Sequence, residues 1–260
     1  MNAGRHHRPC HNSVMRLFAR GRLTCDVSAV TTTWFITREK EDAEADCASL
    51  RLRGLDAIPM PCVTTTLLPW PWNDAEADTM TVFTSRRAVD SWLQTNTHLS
   101  RVAATAPATS RLLDRSGIQV QLETEGGAIA LAEAILAGRR PARIRYPTSN
   151  IGLEAVEQNV AVSMLAEIPV DRQLAYEVHA PAELPRSTAA LHRAPYGLVF
   201  ASPSAIRHFL RHALEAPPAQ HVVCFGQSTL RAWERARPPE WPAATFTRNL
   251  HATVLEVSAR

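Results

Sequence analysis

Lysine is almost missing from this chain: Lys40 stands alone among 260 residues, and arginine supplies the remaining 27 of the 28 basic side chains. Together with abundant alanine, that usage reflects a GC-rich coding sequence more than a function. No CxxC pair occurs among the five cysteines, Cys10, Cys25, Cys47, Cys62 and Cys224. Their odd number predicts reduced thiols and speaks against structural zinc. No run approaches the roughly 20 apolar residues of a membrane helix, so a soluble protein with no membrane partner is expected. GxSxG, HExxH, GxxxxGKT and GxGxxG are all absent, which disfavours a two-lobed nucleotide-sugar or cofactor enzyme. His208 and His212 are spaced i, i+4, but no carboxylate motif accompanies them or His192, and they read as a solvated helix face rather than a metal site. Neither a metal nor a cofactor is expected.

Charge of one sign is also scarce. Five of the basic residues lie within residues 1–25, which contain no acid, leaving 23 basic against 25 acidic residues in the rest of the chain. The diffuse basicity that grips nucleic acid is therefore absent. Residues 1–32 read as a disordered leader, with Met15 as an alternative start. Their arginine and serine content would also suit an organelle transit peptide; otherwise a cytoplasmic monomer is expected.

What is present is a distant internal repeat. The run from Val82 to Val89, VFTSRRAV, returns 117 residues later as VFASPSAI, from Val199 to Ile206. A second pair, Ala106-Pro107-Ala108-Thr109 and Gly226-Gln227-Ser228-Thr229, recurs at nearly the same offset. In each copy an apolar run ends in small hydroxyl residues ahead of an amphipathic stretch, the pattern of a strand whose carboxyl end opens onto a helix N-terminus. Free backbone N–H groups there favour anions.

The period alternates throughout. Strands are predicted at 34–38, 56–62, 80–84, 101–105, 118–122, 142–146, 164–170, 197–201, 221–225 and 243–246. Helices are predicted at 86–94, 108–116, 128–137, 151–160, 203–214, 228–236 and 249–258, with a further apolar helical face at 43–52. Residues 69–72, PWPW, form a stiff loop. The last block supplies three strands against five in the middle, and the missing units lie at 33–62. The expected fold is α/β: two similar doubly wound parallel-sheet lobes, one discontinuous (33–62 plus 179–260) and one inserted (67–168). Crossing segments at 59–66 and 169–178 are expected to pair as a two-stranded ladder.

The candidate binding residues cluster at these strand ends. Thr84, Ser85, Ser202 and Ser204 sit where strands give way to helices, and Thr109, Ser228 and Thr229 occupy the next equivalent turns. Each hydroxyl either caps its helix or donates to a carboxylate, and plain capping is the commoner role. Arg38 follows one strand and Arg86 follows Ser85, both suited to holding acidic groups bidentately near a cleft. Thr37 precedes Arg38, and the Thr148-Ser149-Asn150 turn adds donors at another helix start.

The order TR, FTSxxAV, FxSPSA and GxST resembles the uroporphyrinogen-III synthase family, and the likeness covers about residues 33–258. Its most specific parts are Phe83-Thr84-Ser85 with Ala88-Val89, Phe200 through Ala205, and Gly226 through Thr229. The resemblance implies the same two-lobed fold and a reaction without cofactor. Linear hydroxymethylbilane, which carries eight carboxylates, loses its hydroxyl to give an azafulvene; a spiro-pyrrolenine forms and ring D inverts before the macrocycle closes. Positioning and charge stabilisation carry such a reaction. The chain departs from the family at Ala106, where glycine is usual, and at Gly152-Leu153, where a basic residue is usual. Asp171 stands where the most direct alignment puts the family's tyrosine, its usual suspect for general acid. Tyr176, five residues on, is the remaining candidate for that acid and equally reads as a packing aromatic. The competing class is a non-catalytic relative that binds an anionic ligand between the lobes as a sensor.

Overall fold

Trp34, Phe35 and Ile36 are consecutive and all buried, which requires a strand covered on both faces. The computed structural model describes residues 32–259 apart from 75, 193–194 and 214. Residues 1–31 of the expected leader, with Cys10, Met15 and Cys25, lie outside the described residues. In chain order the elements are β1 (Thr33–Ile36), α1 (Lys40–Arg51), β2 (Ala57–Pro59), β3 (Thr64–Leu67), β4 (Thr79–Phe83), α2 (Arg86–Leu93), β5 (Arg101–Thr105), α3 (Ala108–Arg115) and β6 (Leu122–Thr124). There follow α4 (Gly127–Ala137), β7 (Arg143–Ser149), α5 (Asn150–Glu154), α6 (Val156–Met164), β8 (Val170–His179) and the single turn α7 (Leu184–Ser187), which runs into a 3-10 turn. The last elements are β9 (Tyr196–Phe200), α8 (Pro203–His212), β10 (His221–Phe225), α9 (Gln227–Ala236), β11 (Ala244–Thr247) and α10 (Leu250–Ser258).

Two sheets result. The first has the order β11-β10-β9-β1-β2, parallel throughout; the second has the order β3-β8-β7-β4-β5-β6. Strand periodicity divides each core in two. On one face of the first sheet Trp34, Ile36, Val199 and Val223 meet Cys47 and Leu50 of α1 and Val254 of α10. On the other, Phe35, Leu198, Phe200 and Val222 meet Ile206 and Phe209 of α8 and Trp233 of α9. The second sheet repeats the plan, with Phe83, Val102 and Ala104 against α2 and α3, and Met80, Val82 and Ile144 against α4 and α6. Each such large side chain contributes about 1.5–3 kcal/mol on burial.

The middle of the chain departs from the periodicity in three places. Residues 118–121 are not a strand. Ile118 and Val120 pack against the α2–α3 side of the core, and pairing with β5 begins only at Leu122, opposite Ala103; the Val102 backbone N–H is claimed by the Gln121 side-chain oxygen and not by a ladder carbonyl. Residues 164–169 are not a strand either. Leu165 and Ile168 are the buried end of α6 and the turn after it, and a short apolar run does not distinguish the two by period. The predicted helix 151–160 is broken at Ala155, whose φ, ψ of −69°, 124° is extended, giving α5 and α6.

Strand β8 consequently starts at Val170 and serves twice. It runs parallel to β7 and, at its carboxyl end, antiparallel to β3, with Thr64 opposite His179 and Leu67 opposite Tyr176. A bulge lies between the pairs Thr148–Leu174 and Ser149–Tyr176. The extra residue, Ala175, packs in the same apolar cluster as Tyr176, Trp70 and Trp72, since a bulge sets two residues against one on the partner strand.

Candidate functional site

In each sheet the strand order reverses once. In the first the reversal falls between β1 and β9, and in the second between β4 and β7. Open parallel sheets receive ligands beyond the carboxyl ends of the strands at such a reversal. Both reversals face one cleft of about 850 Å³: Arg38 and Ser202, which follow β1 and β9, line it together with Ser85 and Ser149 from the ends of β4 and β7.

Three of these residues are helix caps by geometry. Ser85 Oγ accepts from the Arg87 backbone N–H at 3.1 Å, Ser149 Oγ from Gly152 at 2.9 Å and Ser202 Oγ from Ala205 at 3.2 Å. Capping uses the hydroxyl oxygen as acceptor and leaves its O–H free to donate. Each cap therefore stabilises a helix start and still offers a donor to the cleft. Ser204 and Ser228 line it too. Ser228 follows Gly226, whose φ of 89° lies in the region that glycine occupies without strain.

The cleft carries Arg38, Arg86, Arg87, Arg207, Arg231 and Arg235 against Glu39, Asp42, Glu154 and Glu157. Much of this charge is already paired. Arg38 meets Asp42 and Asp46, each at 2.7 Å, and Arg86 reaches Asp42 at 3.3 Å. Arg87 pairs with Glu39 and with Asp90, and Arg231 lies 3.5 Å from Glu157. The Arg86–Asp42 and Arg87–Glu39 pairs join α2 of the second sheet to α1 and its N-terminus on the first.

With that geometry in view, the sequence profile of the family described as uroporphyrinogen-III synthase HemD matches residues 45–247. The chain belongs to the uroporphyrinogen-III synthase family. The uroporphyrinogen-III synthetase of Helicobacter pylori superposes with a TM-score of 0.59 at 15% identity, over 88% of this chain and 100% of that one. A mutant uroporphyrinogen III synthase of the extreme thermophile Thermus thermophilus gives 0.57 at 15% identity, over 88% and 98%. These two likenesses bear on the fold. No curated protein matches the chain.

Six of the residues singled out in the sequence do not line the cleft of this family member, among them Thr148, whose buried hydroxyl donates to Gln158 Oε1 at 2.7 Å. Thr37 is fully buried, its hydroxyl donating to the Val199 carbonyl at 2.7 Å. The Thr84 hydroxyl accepts instead from the buried Tyr146 phenol at 3.4 Å. Thr109 and Thr229 are enclosed in the first turns of α3 and α9, at 5% and 1% exposure. Asn150 closes a two-way hydrogen bond with the Val178 backbone, at 3.2 and 2.9 Å. In each case a nearer internal partner or the packing of the first helical turn claims the side chain.

Asp171 is likewise engaged away from the cleft, accepting from Trp72 Nε1 at 2.6 Å. Tyr176 does line it. His208 corrects the expectation of a solvated helix face: it is 6% exposed, and its Nδ1 donates to the Cys62 carbonyl at 2.8 Å. Burial lowers its pKa, opposed by that hydrogen bond. Burial also pushes Tyr146 up to about 12, Cys47 to about 11 and Cys224 to about 12, so these groups stay protonated at neutral pH. Among the described residues no group of three or more His, Cys, Asp or Glu is placed to hold a metal ion.

Sequence reasoning missed Arg172. Its guanidinium donates to Asn159 Oδ1 at 2.7 Å and to the carbonyls of Gly152 and Leu153 at 3.2 and 2.8 Å. It clamps the α5–α6 break that forms one wall of the cleft. Gly152 is needed there: a Cβ would lie 2.2 Å from Thr148 Oγ1 and 2.8 Å from Gln158 Oε1, which are themselves hydrogen-bonded at 2.7 Å. No local pattern marks the Arg172 contacts, because its partners lie 13 to 20 residues away.

Proposed function

We propose that this protein converts hydroxymethylbilane to uroporphyrinogen III, a lyase reaction of tetrapyrrole biosynthesis, as a cytoplasmic monomer without cofactor. The observation that carries the reading is the single cleft onto which both strand-order reversals open, in a chain of this family, with serine caps from both sheets and six arginines along its walls. The same reading divides the chain into a discontinuous lobe (33–62 plus 179–260) and an inserted lobe (67–168) around that cleft.

Carboxylates of the linear substrate are received by serine hydroxyls, by helix N-termini and by arginines. Held in a folded shape, the chain of pyrroles presents its terminal ring to the hydroxymethyl carbon. The C–O bond breaks, a proton goes to the departing hydroxyl to make water, and the azafulvene cation is attacked to give the spiro-pyrrolenine. The bond from the spiro carbon to its original methylene then breaks, ring D inverts, and its free α-carbon bonds to that methylene and loses its proton as the macrocycle closes. Tyr176 is our candidate for the proton donor, since it lines the cleft and Asp171 is occupied by Trp72. Most of the acceleration is assigned to positioning and fixed dipoles.

The test is the isomer formed from hydroxymethylbilane, since the same substrate closes spontaneously to the type I isomer. Isomer III above that background supports the reading, and type I alone overturns it. Tyr176→Phe should lower isomer III formation about tenfold or more with the fold intact; wild-type turnover would end the acid role. A second reading, a sensor that binds an anionic ligand without turnover, draws on the displaced tyrosine and on cleft arginines already held by Glu39 and Asp42. Ligand binding with only type I product would favour it.

A further inference from the structure

The cleft arginines are unevenly engaged. Arg38, Arg86 and Arg87 each face carboxylates of the chain itself, so a substrate carboxylate arriving there replaces an existing pair and gains little. Arg207 of α8 and Arg235 of α9 have no acidic partner among the described residues. Arg235 spends only its Nε, on the Arg231 carbonyl at 3.1 Å.

Both arginines stand where the cleft meets a second depression, a groove of about 490 Å³ between α8 and α9. Helical spacing builds it. On α8, Ile206 and Leu210 form an apolar row beside the row Arg207 and Arg211; on α9, Ala232 and Ala236 lie beside Arg235. The alanines keep α9 thin and give the groove its depth. No acidic residue lines it among the described residues. An apolar floor between guanidinium rims suits a flat, weakly polar ring that carries carboxylate arms: the floor takes the ring, and the planar guanidinium forks take the carboxylates.

Resting on the proposed activity, we propose that the α8–α9 groove is a subsite continuous with the cleft that seats one pyrrole ring of the linear tetrapyrrole, its acetate and propionate arms on Arg207 and Arg235. The eight carboxylates of the substrate exceed what the serine caps can satisfy. These two cations are available without breaking an ion pair seen among the described residues.

The test pairs a binding measurement with kinetics on the full chain. A monopyrrole bearing one acetate and one propionate arm is titrated while the methyl resonances of Ala232 and Ala236 are followed by NMR. Shifts at both methyls are expected in the wild type, and their loss in Arg207→Gln with Arg235→Gln. The same double variant should raise the KM for hydroxymethylbilane about tenfold with kcat kept, the sum expected for two solvent-screened pairs. Arg139→Gln, which changes the charge at an 82% exposed side chain outside the cleft, should change neither. Glutamine keeps helix propensity, and thermal unfolding confirms that the double variant folds. Methyls that do not respond, or a double variant with wild-type KM, overturn the subsite. Methyls that respond in an arginine-dependent way in a protein that yields only type I isomer uphold the groove and overturn the activity instead.

Discussion

The units β4–α2 and β9–α8 are two copies of one pattern, and position by position they solve one problem with different chemistry. At the 117-residue offset Ser91 corresponds to His208. The Ser91 hydroxyl donates to the Leu68 carbonyl at 3.0 Å, and His208 Nδ1 donates to the Cys62 carbonyl at 2.8 Å. Those two carbonyls bracket β3, the segment that runs from the first sheet to the second, so each copy holds one end of it. The clasp in the first copy is indifferent to pH; the clasp in the second is an imidazole. The charges after the caps diverge as well. Arg86 and Arg87 follow Ser85 and are tied to α1, whereas Pro203 and Ser204 follow Ser202, and Arg207, one turn on, meets no acid among the described residues. A shared backbone turn therefore carries latched arginines in one copy and, in the other, an arginine with no acidic partner among the described residues.

The comparison breaks most directly at the clasps. His208→Ala leaves a buried carbonyl without its donor and a cavity where the ring was. We expect about 2–4 kcal/mol of lost stability in urea unfolding. Ser91→Ala should cost about 1–2 kcal/mol, since little volume goes with the hydroxyl. Equal losses would mean that the ring is not packed as described.

Acid should separate the copies further. Burial lowers the folded-state pKa of His208, helped by Arg211, Arg207 and His179 and opposed by the Cys62 carbonyl. The unfolded chain therefore takes up a proton that the folded chain refuses. The stability held by neutral His208 is complete above the ordinary value of 6.5 and is lost as pH falls through it toward the lowered folded value. His208→Gln should flatten the pH dependence of the urea midpoint in that window, while Ser91→Ala should leave its slope unchanged.

Smaller effects are expected at the caps. Ser85→Ala and Ser202→Ala should each cost about 1 kcal/mol of stability. If Ser202 also donates to substrate beside Arg207, its variant should raise KM more than the Ser85 variant does. The smallest effect is expected at Thr229→Val, which keeps the shape of a residue enclosed away from the cleft: turnover should stay within about twofold of wild type. A large loss would return Thr229 to the binding surface.

Much of this was readable in advance, and the failures have a common cause. The alternation of apolar runs and amphipathic stretches set out most strands and helices, since each buried strand must be apolar on both faces and each covering helix on one. It failed at 118–122 and 164–170, where apolar residues belong to a loop and a helix end packed against the core. The serines were readable as strand-end caps because capping is satisfied within three residues. The threonines were not separable from them: Thr229 and Ser228 are neighbours in one turn, and only packing sends one into the cleft and the other beneath α9.

By itself, then, the amino-acid sequence determined the properties whose partners are local: the strand and helix periods, the repeat, and the serine starts of α2, α5 and α8. The tertiary structure decided everything that depends on partners far apart in the chain. Asp42 and Glu39 neutralise arginines some 45 residues on, Trp72 claims Asp171 across 99 residues, and the bulge at Ala175 sets Tyr176 opposite Leu67 and Ser149. An arginine on an exposed helix face looks the same in sequence whether a carboxylate reaches it or not, because the ion pair is formed by the packing of helices and not by the helix that carries it.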